Sequence, residues 1–397
     1  MSPTANILSW YNLTSNLYYR YQSSELTHVQ RDIFLIGSGQ TRFGEWWHMS
    51  LQDLVQKAMD TSIENAPCTA LDIDMVITAN MLGELTNNQA HVGALASALL
   101  PHKPPALRIE AACASGSVAL HTACAFLESE RAETILVLGV EKMTDVSSEQ
   151  ITRALMGASD NEKDQVPGLT FPGIFGLIAK RYMYEYGLKR EELNIVSARH
   201  HENASKNPNA QFRSPIAPES VETSPLVADP LHMLDCSPIS DGAAACILST
   251  KYKSPFQLRA STLANDAVSI TDRESITSFS ATKEALEKAL KEACIRREDI
   301  ATIEHHDCFS IAAVINMEDL GFADKGKGIE CYTKPSSHTF NASGGLKACG
   351  HPVGATGIKQ LIDVRKQLEH SQSRYGLAHN FGGACATCCV HILEYTV

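Results

Sequence analysis

Apolar runs typical of buried strands alternate along this chain with stretches of helical periodicity, and the alternation occurs twice in the same order. The first pass predicts elements at 33–37 (strand), 50–65 (helix), 74–80 (strand), a turn and helix after Cys113, and 135–139 (strand). The second pass predicts them at 256–260 (strand), 281–294 (helix), 300–304 (strand), a glycine-rich turn and helix around His351, and 375–379 (strand). Two similar halves with mostly buried strands predict a duplicated α/β fold.

The same pattern predicts how the chain is divided. Residues 1–30 form an N-terminal extension, and residues 31–145 together with 234–255 form the first half of the duplication. Residues 256–397 form the second half. The stretch 146–233 is rich in Gly, Pro, Asn and basic residues, and we interpret it as an inserted loop domain over the active face.

Composition narrows the class of protein. A hydrophobic share of 44% and a charged share of 20% are typical of a soluble globular chain, and no apolar run approaches the roughly 18 residues of a membrane span. The formal charge of −11, without a lysine/arginine cluster, argues against nucleic-acid binding. Twelve scattered cysteines without a secretory signal indicate reduced thiols.

The cysteines at 385–389 superficially resemble a zinc knuckle. No second Cys-x-x-Cys pair lies at zinc spacing, and the segment has the character of a buried strand. We therefore expect no metal site.

The first thirty residues bear on the compartment. They are rich in Ser, Thr, Asn and Tyr and contain one acidic residue, Glu25, and one arginine, Arg20. A hydroxyl-rich, acid-poor segment is typical of a transit peptide, whereas a plain surface extension explains it as well. The expected location is mitochondrial, with a peroxisome-like organelle or the cytoplasm as alternatives, although the C-terminus is not a Ser-Lys-Leu address.

Cys113 lies in a turn of small residues, 111–117, that runs directly into a predicted helix. Unpaired N–H groups at a helix start favour a thiolate, and small neighbours let a substrate approach the sulfur. A packing role for the thiol is the alternative.

Three further loops with reactive groups follow predicted strands. They are His305-His306-Asp307-Cys308-Phe309, the glycine-rich stretch 349–357 with His351, and the stretch 379–384. Taken singly, each has a structural explanation: a satisfied loop histidine, a core thiol, or a tight turn. In α/β folds, however, ligands bind beyond the carboxyl ends of strands, and equivalent places in two duplicated halves favour a shared site.

On these residues the sequence resembles the thiolase family, and within it the sterol carrier protein 2 type, over nearly the whole chain from Arg31 to Ile392. The motifs that carry the resemblance are Cys113-Ala114-Ser115-Gly116, the Gly-His-Pro-x-Gly stretch 350–354, the His-Asp-Cys-Phe loop 306–309, and the stretches 206–212 and 236–245. Most thiolases have Asn-Glu-Ala-Phe at the place of the His-Asp-Cys-Phe loop.

The resemblance implies a layered αβαβα fold with two mixed sheets and an inserted loop domain. It also implies reversible thiolytic cleavage of a 3-oxoacyl-CoA by CoA, giving acetyl-CoA, or propionyl-CoA from 2-methyl substrates, and a shortened acyl-CoA. His351 would deprotonate Cys113, whose thiolate attacks the 3-oxo carbon, and carbon–carbon cleavage then releases an enolate that needs a proton.

A second acid/base is therefore required. Most thiolases use a cysteine of the last loop, but Asn380 stands there and cannot titrate. The resemblance to the sterol-carrier type gives the task to Cys308. His306 and His351 would stabilise the enolate oxygen, either directly or through water.

The resemblance also assigns the remaining site residues. The backbone N–H groups of Cys113 and Gly382 would hold the thioester oxygen. Phe309 and Asn380 are expected in the substrate pocket. Ala384 departs from the family's glycine-rich tail, and its methyl group would narrow the acyl pocket or shift the oxyanion donor.

The resemblance implies no permanently bound cofactor, since coenzyme A is a substrate, and it implies a homodimer that buries the sheet edge near the nucleophile. The cations expected to meet the ADP end of CoA are Lys180, Arg181, Lys206 and Arg213, chosen by location in the loop domain, and solvation of the surface explains them equally well.

Two other classes of function stay open at this stage. A decarboxylating condensing enzyme shares the duplicated fold but has no second reactive cysteine, so Cys308 argues against it. A thiolase-like protein that only binds acyl-CoA is the other alternative. We expect no fused lipid-carrier domain, because the chain ends shortly after its last predicted strand.

Overall fold

A computed structural model describes residues 31–396 of the chain. The predicted extension at 1–30, and with it the composition that favours a mitochondrial location, lies outside the described residues. The strands are β1 Ile33–Gln40, β2 Met75–Ala79, β3 Ala106–Ile109, β4 Thr134–Glu141, β5 Leu226–Ala228, β6 Leu231–His232, β7 Gly242–Ser249, β8 Phe256–Asn265, β9 Ile300–Glu304, β10 Thr339–Phe340, β11 Tyr375–Gly382 and β12 Thr387–Tyr395. The α-helices are α1 Leu51–Glu64, α2 Gly83–Thr86, α3 Val92–Ser97, α4 Ser115–Glu128, α5 Ser148–Met156, α6 Phe171–Tyr186, α7 Arg190–Ala204, α8 Pro218–Thr223, α9 Ser280–Ala293, α10 Ser310–Asp319, α11 Glu330–Thr333, α12 Gly345–Cys349 and α13 Val353–Ser371.

The sheet confirms the duplication. Its ten strands follow the order β10-β9-β11-β12-β8-β1-β7-β4-β2-β3, and the two small strands β5 and β6 pair separately. In the first half, β3, β2 and β4 are parallel, whereas β7 and β1 continue antiparallel. The second half repeats this pattern with β10, β9 and β11 parallel and β12 and β8 antiparallel. The halves join where β1 pairs with β8 at two positions, Ile33 with Leu258 and Phe34 with Gln257.

The cores confirm the layered α/β architecture. One core packs α1 and α3 against β2, β4 and β7, and another packs α6, α7, α9 and α10 against the second half of the sheet. Between them, apolar residues of α4 and α13 meet strands of both halves in a shared central core. These two helices occupy equivalent places, because α4 connects β3 to β4 and α13 precedes β11.

The central helices approach each other closely at their first turns. A Cβ atom on Gly116 of α4 would lie 2.8 Å from the carbonyl oxygen of Gly354 and 3.0 Å from the backbone nitrogen of Gly357 in α13. A Cβ on Gly357 would lie 2.5 Å from the backbone nitrogen of Ser117. Only glycine permits this contact, and it brings together the loops that carry Cys113 and His351.

The segment between β4 and β7 holds α5 to α8 with the β5–β6 pair, so it is more helical than its glycine and proline content indicated. The exact domain boundaries given above stay a prediction. Of the helices described between residues 31 and 396, none has the length and apolar character needed to cross a bilayer.

Candidate active site

The turn before α4 holds Cys113 in a braced conformation. Ala112 has a left-handed φ of 52°, which is uncommon for a residue with a side chain. The Ser115 hydroxyl accepts a hydrogen bond from the Ala111 N–H at 2.9 Å and donates to the Ala112 carbonyl at 2.5 Å. The Glu110 carboxylate accepts from the Ala112 N–H at 2.6 Å. Side chains therefore fix the elbow that presents the thiol.

Cys113 rests as a neutral thiol. Burial raises its pKa to about 12, although the Gly383 backbone N–H lies against the thiol and opposes that shift. The carboxylates of Glu141 and Glu110 raise the pKa further. A nucleophilic role for this thiol would therefore require a base.

His351 has the geometry of that base. Its Nδ1 lies 2.7 Å from the Thr356 hydroxyl oxygen, and this hydroxyl donates to the Pro352 carbonyl at 3.0 Å. Because the hydroxyl proton is committed, Nδ1 must be the donor, and Nε2 keeps a lone pair without a protein partner. The His351 backbone N–H donates to the Ser240 hydroxyl at 3.1 Å. Burial lowers the imidazole pKa to about 4, so the ring is neutral.

His306 follows β9 and is fully buried. Its Nδ1 lies 2.9 Å from the Asn380 amide nitrogen, and its carbonyl accepts from the Asn316 amide at 2.6 Å. Burial, with the neighbouring His351, holds the pKa of this imidazole well below its ordinary value. The ring centroids of His306 and His351 are 5.1 Å apart and nearly perpendicular, and the Phe381 ring lies 4.0 Å from that of His306. Two neutral imidazoles therefore stand side by side.

Cys308 is buried two residues further along the same loop. Its carbonyl accepts from the Ser237 N–H at 2.9 Å, which ties the loop to the strand-like segment before β7. Burial, then the neighbouring Cys113, raises the pKa of this thiol well above its ordinary value. The two thiols are thus close enough to interact, and Cys308 is a proton donor at neutral pH.

The sequence marks Asp307 only as part of a motif, whereas the structure places its carboxylate between two other segments of the chain. Its carboxylate lies 2.8 Å from Nδ1 of His200 on α7 and accepts from the Leu346 N–H at 2.7 Å on α12. Burial alone would raise its pKa, but His200 and the Leu346 N–H hold it well below the ordinary value. Asp307 therefore joins the His306 loop, the inserted segment and the helix that precedes His351.

A cavity of about 330 Å³ meets these groups. Cys113, Cys308, Phe309, His351 and Gly383 are among the residues that line it. Its walls are mainly apolar and include Met143, Leu155, Phe171, Phe175, Val227, Pro238, Ile239 and Val353. The apolar walls suit an acyl chain, since ligand pockets of this kind fix orientation with few polar groups.

Other predicted site residues adjoin the residues that line the cavity without being among them. His306 and Asn380 are fully buried and are not among the lining residues, so the Asn380 amide faces His306. Ala384 packs into the core of the second half, and Gly383 is the residue of that turn that reaches the cavity. Gly382 packs against the Cys113 turn, where a Cβ would lie 2.4 Å from the Ala111 carbonyl oxygen.

The predicted cations divide into two groups. Lys180 pairs with Asp229 and Arg181 with Glu185, so both have intramolecular partners. Lys206 and Arg213 are exposed and make no ion pair within the described part of the chain. Residues 31–396 contain no cluster of three or more His, Cys, Asp or Glu side chains arranged to hold a metal.

Sequence reasoning missed the contacts that orient the catalytic candidates. Thr356 and Asn316 lie on helices and carried no motif signal that linked them to either histidine. The sequence does not distinguish Gly383 from the adjacent Gly382. The geometry of the turn shows that Gly383 lines the cavity and that Gly382 does not.

Known proteins are similar to this chain in sequence and in fold. The family model described as "Thiolase, N-terminal domain" matches residues 33–252, and "Thiolase C-terminal domain-like" matches 263–395. The acetyl-CoA acetyltransferase of Methanothermobacter thermautotrophicus is 42% identical over 383 residues, covering 92% of this chain and 100% of that protein. Sterol carrier protein 2 of Homo sapiens is 30% identical over 385 residues, covering 89% of this chain and 70% of that protein. The solved structure of an Ltp2-ChsH2(DUF35) aldolase superposes with a TM-score of 0.78 at 18% identity, covering 92% of this chain and 98% of that one. Because an aldolase has this fold, the reaction must be argued from the site.

Proposed function

Because this chain belongs to the thiolase family, we propose that it cleaves 3-oxoacyl-CoA with CoA, and runs the reverse condensation, through an acyl group carried on Cys113. The observation that carries the proposal is that Cys113, Cys308 and His351 line one apolar cavity, and that Nε2 of His351 has no protein partner. Two thiols and a neutral base are the groups that such an exchange requires.

The first half-reaction starts with the proton of Cys113. His351 takes it through Nε2 as sulfur bonds to the 3-oxo carbon, because thiol and imidazole are both neutral at rest. The bond between C2 and C3 then breaks, leaving an acyl group on Cys113 and the enolate of acetyl-CoA. Cys308 gives its thiol proton to the enolate carbon, and acetyl-CoA leaves.

The second half-reaction restores the enzyme. The Cys308 thiolate removes the thiol proton of incoming CoA, whose sulfur attacks the acyl carbon on Cys113. The acyl-CoA leaves, and the proton held by His351 returns to Cys113. The Gly383 N–H at the Cys113 thiol is our candidate donor to the thioester oxygen, in the role first assigned to Gly382.

Substrate and partners follow from the same features. The aromatic walls, with Phe175 stacked on Phe309 at a centroid distance of 4.5 Å, favour an apolar acyl chain. No permanently bound cofactor is needed, since CoA is the second substrate. Arg213 is our candidate for binding the phosphates of CoA, because it lies next to a residue that is attached to the site. The N–H of that neighbour, Phe212, donates to the Ala348 carbonyl in the segment that leads to His351.

We also propose that two copies pair along β3. This strand forms one edge of the sheet and leads directly to the Cys113 turn. Its Leu107 is 39% exposed, and an exposed edge strand is a ready template for pairing. Light scattering on the purified protein tests the dimer.

The test of the reaction is cleavage of acetoacetyl-CoA and of longer 3-oxoacyl-CoA thioesters, followed by loss of the substrate and appearance of acetyl-CoA. Wild type should cleave only when CoA is present, and Cys113→Ala should abolish turnover. Cleavage without CoA would indicate another reaction. Tight binding of acetoacetyl-CoA without any cleavage would favour an acyl-CoA-binding protein instead.

A further inference from the structure

His306 is held on every side that the structure describes. Its carbonyl accepts from Asn316, its backbone N–H lies 3.4 Å from Nδ1 of His379, and Phe381 covers its ring. The only polar side chain at its imidazole nitrogens, among residues 31–396, is Asn380, at Nδ1. The ring Nε2 is buried and has no protein partner.

The contact with Asn380 determines where the imidazole proton lies. An amide nitrogen is a donor only, so at 2.9 Å it requires a lone pair on Nδ1 of His306. A neutral imidazole carries one proton, which must then be on Nε2. The ring that carries this N–H group lies 5.1 Å, centroid to centroid, from the ring of His351, whose own Nε2 is an acceptor because of Thr356.

We propose that Asn380 is a positioning residue, which fixes His306 in the Nε2–H tautomer so that this ring donates a hydrogen bond to developing negative charge on the substrate. The inference rests on the proposed function for its consequence in turnover. It gives Asn380 a task that the sequence did not indicate, since the residue was expected in the substrate pocket. A donor that is fixed before reaction needs no reorganisation when the enolate oxygen forms.

The decisive variant is Asn380→Asp, which keeps the shape of the side chain but replaces the donor with an acceptor. The carboxylate that this substitution introduces would draw the proton of His306 to Nδ1 and leave a lone pair on Nε2. We expect kcat for cleavage of acetoacetyl-CoA to fall on the order of 100-fold, as when an oxyanion donor is lost. Unchanged kcat in a variant whose Nδ1 is protonated would overturn the proposal, because turnover would then not depend on an Nε2–H donor.

His306→Asn supplies the matched background. An asparagine at 306 carries N–H donors without any tautomer, so Asn380→Asp in that background should change kcat less than about threefold. An equal loss in both backgrounds would show that Asn380 acts independently of His306, and would also overturn the proposal.

A readout that does not depend on activity separates this proposal from the proposed function. In protein labelled with ¹⁵N-histidine, the signals that disappear in His306→Asn belong to His306. They should show an unprotonated Nδ1 in wild type and a protonated Nδ1 in Asn380→Asp. A protonated Nδ1 in wild type would refute the tautomer assignment even in an active enzyme. Absence of turnover by wild type would refute the proposed function alone.

Discussion

Replacing Cys308 by alanine should separate proton transfer to carbon from acylation of the enzyme. The buried Cys308 thiol has a pKa well above its ordinary value, so at neutral pH it holds the proton that the enolate requires. General acid/base groups of this kind contribute roughly 10²- to 10⁴-fold, which is about 3–5 kcal/mol of barrier. Nothing in Cys308→Ala removes Cys113 or His351, so attack on the substrate is retained.

The most direct assay is exchange of the methyl protons of acetyl-CoA for deuterium in D₂O, followed by NMR or mass spectrometry. Under the proposed mechanism, exchange needs the Cys308 base and the enolate donors, but it does not need Cys113. Cys308→Ala should therefore lose exchange by about 100-fold or more, while intact mass still detects acylation of Cys113. Cys113→Ala should retain exchange and lose acylation.

The base form of Cys308 is scarce at neutral pH, so the exchange rate of wild type should rise about tenfold per pH unit through the neutral range. Cys246→Ala is the matched control, since it removes a fully buried thiol from β7. Exchange that survives in Cys308→Ala but disappears in Cys113→Ala would refute the assigned division of labour between the two thiols.

Three further predictions each concern a single residue. Thr356→Val removes the acceptor that fixes the tautomer of His351, so kcat should fall on the order of 10- to 100-fold with little change in the KM for CoA; a change in KM alone would contradict that role. Burial raises the pKa of Glu141 to about 8 from 4.5, so between those values the folded chain holds a proton that the unfolded chain has lost. The free energy of unfolding of the wild type should therefore fall by on the order of 3–5 kcal/mol as pH rises through this window, whereas that of Glu141→Gln should not. Urea unfolding at several pH values measures both, and parallel pH profiles of the two proteins would contradict this prediction. Arg213→Glu should raise the KM for CoA several-fold and leave kcat nearly unchanged, and the effect should shrink at high salt; steady-state kinetics that show an unaltered KM would remove Arg213 from the CoA site.

Periodicity located the regular elements of the sheet and of its first helix. The helix predicted at 50–65 is Leu51–Glu64, which begins at a capping box formed by Ser50 and Asp53. The strand predicted at 256–260 continues to Asn265, because the polar residues that looked like its end are buried within the sheet. Thr262, for example, donates its hydroxyl to the Ala285 carbonyl at 2.7 Å. A polar residue satisfied by a neighbouring helix cannot be told from a strand end in one sequence.

The inserted segment was harder to interpret. Its glycines and prolines indicated loops, yet Phe171–Tyr186 is a continuous helix that begins at a proline-containing first turn and ends at Gly187 with φ 73°. Proline is common at the first turn of a helix and glycine just after its last turn. An abundance of the two residue types therefore indicates helix ends as well as loops. That Cys113 and His351 line the same cavity was predictable from the duplication. The contacts of Thr356 and Asn380 were not, because they depend on which ring nitrogen faces which neighbour.

The thiols and imidazoles of the site are neutral at rest although they are the reactive groups that the proposed function uses. Burial explains the neutral state, and it also strengthens the interactions that these groups would make during turnover. Withdrawal from water raises the pKa values of the Cys113 and Cys308 thiols and lowers those of the His351 and His306 imidazoles, so each group rests in its uncharged form. A thiol is a far weaker nucleophile than a thiolate, so the raised pKa of Cys113 is expected to slow its reaction with oxidants and electrophiles. The low polarity that suppresses charge at rest also strengthens each hydrogen bond to the charge that forms during turnover. On the proposed function, substrate binding activates the nucleophile, and the proposed tautomers of the two histidines determine where the resulting charge is placed.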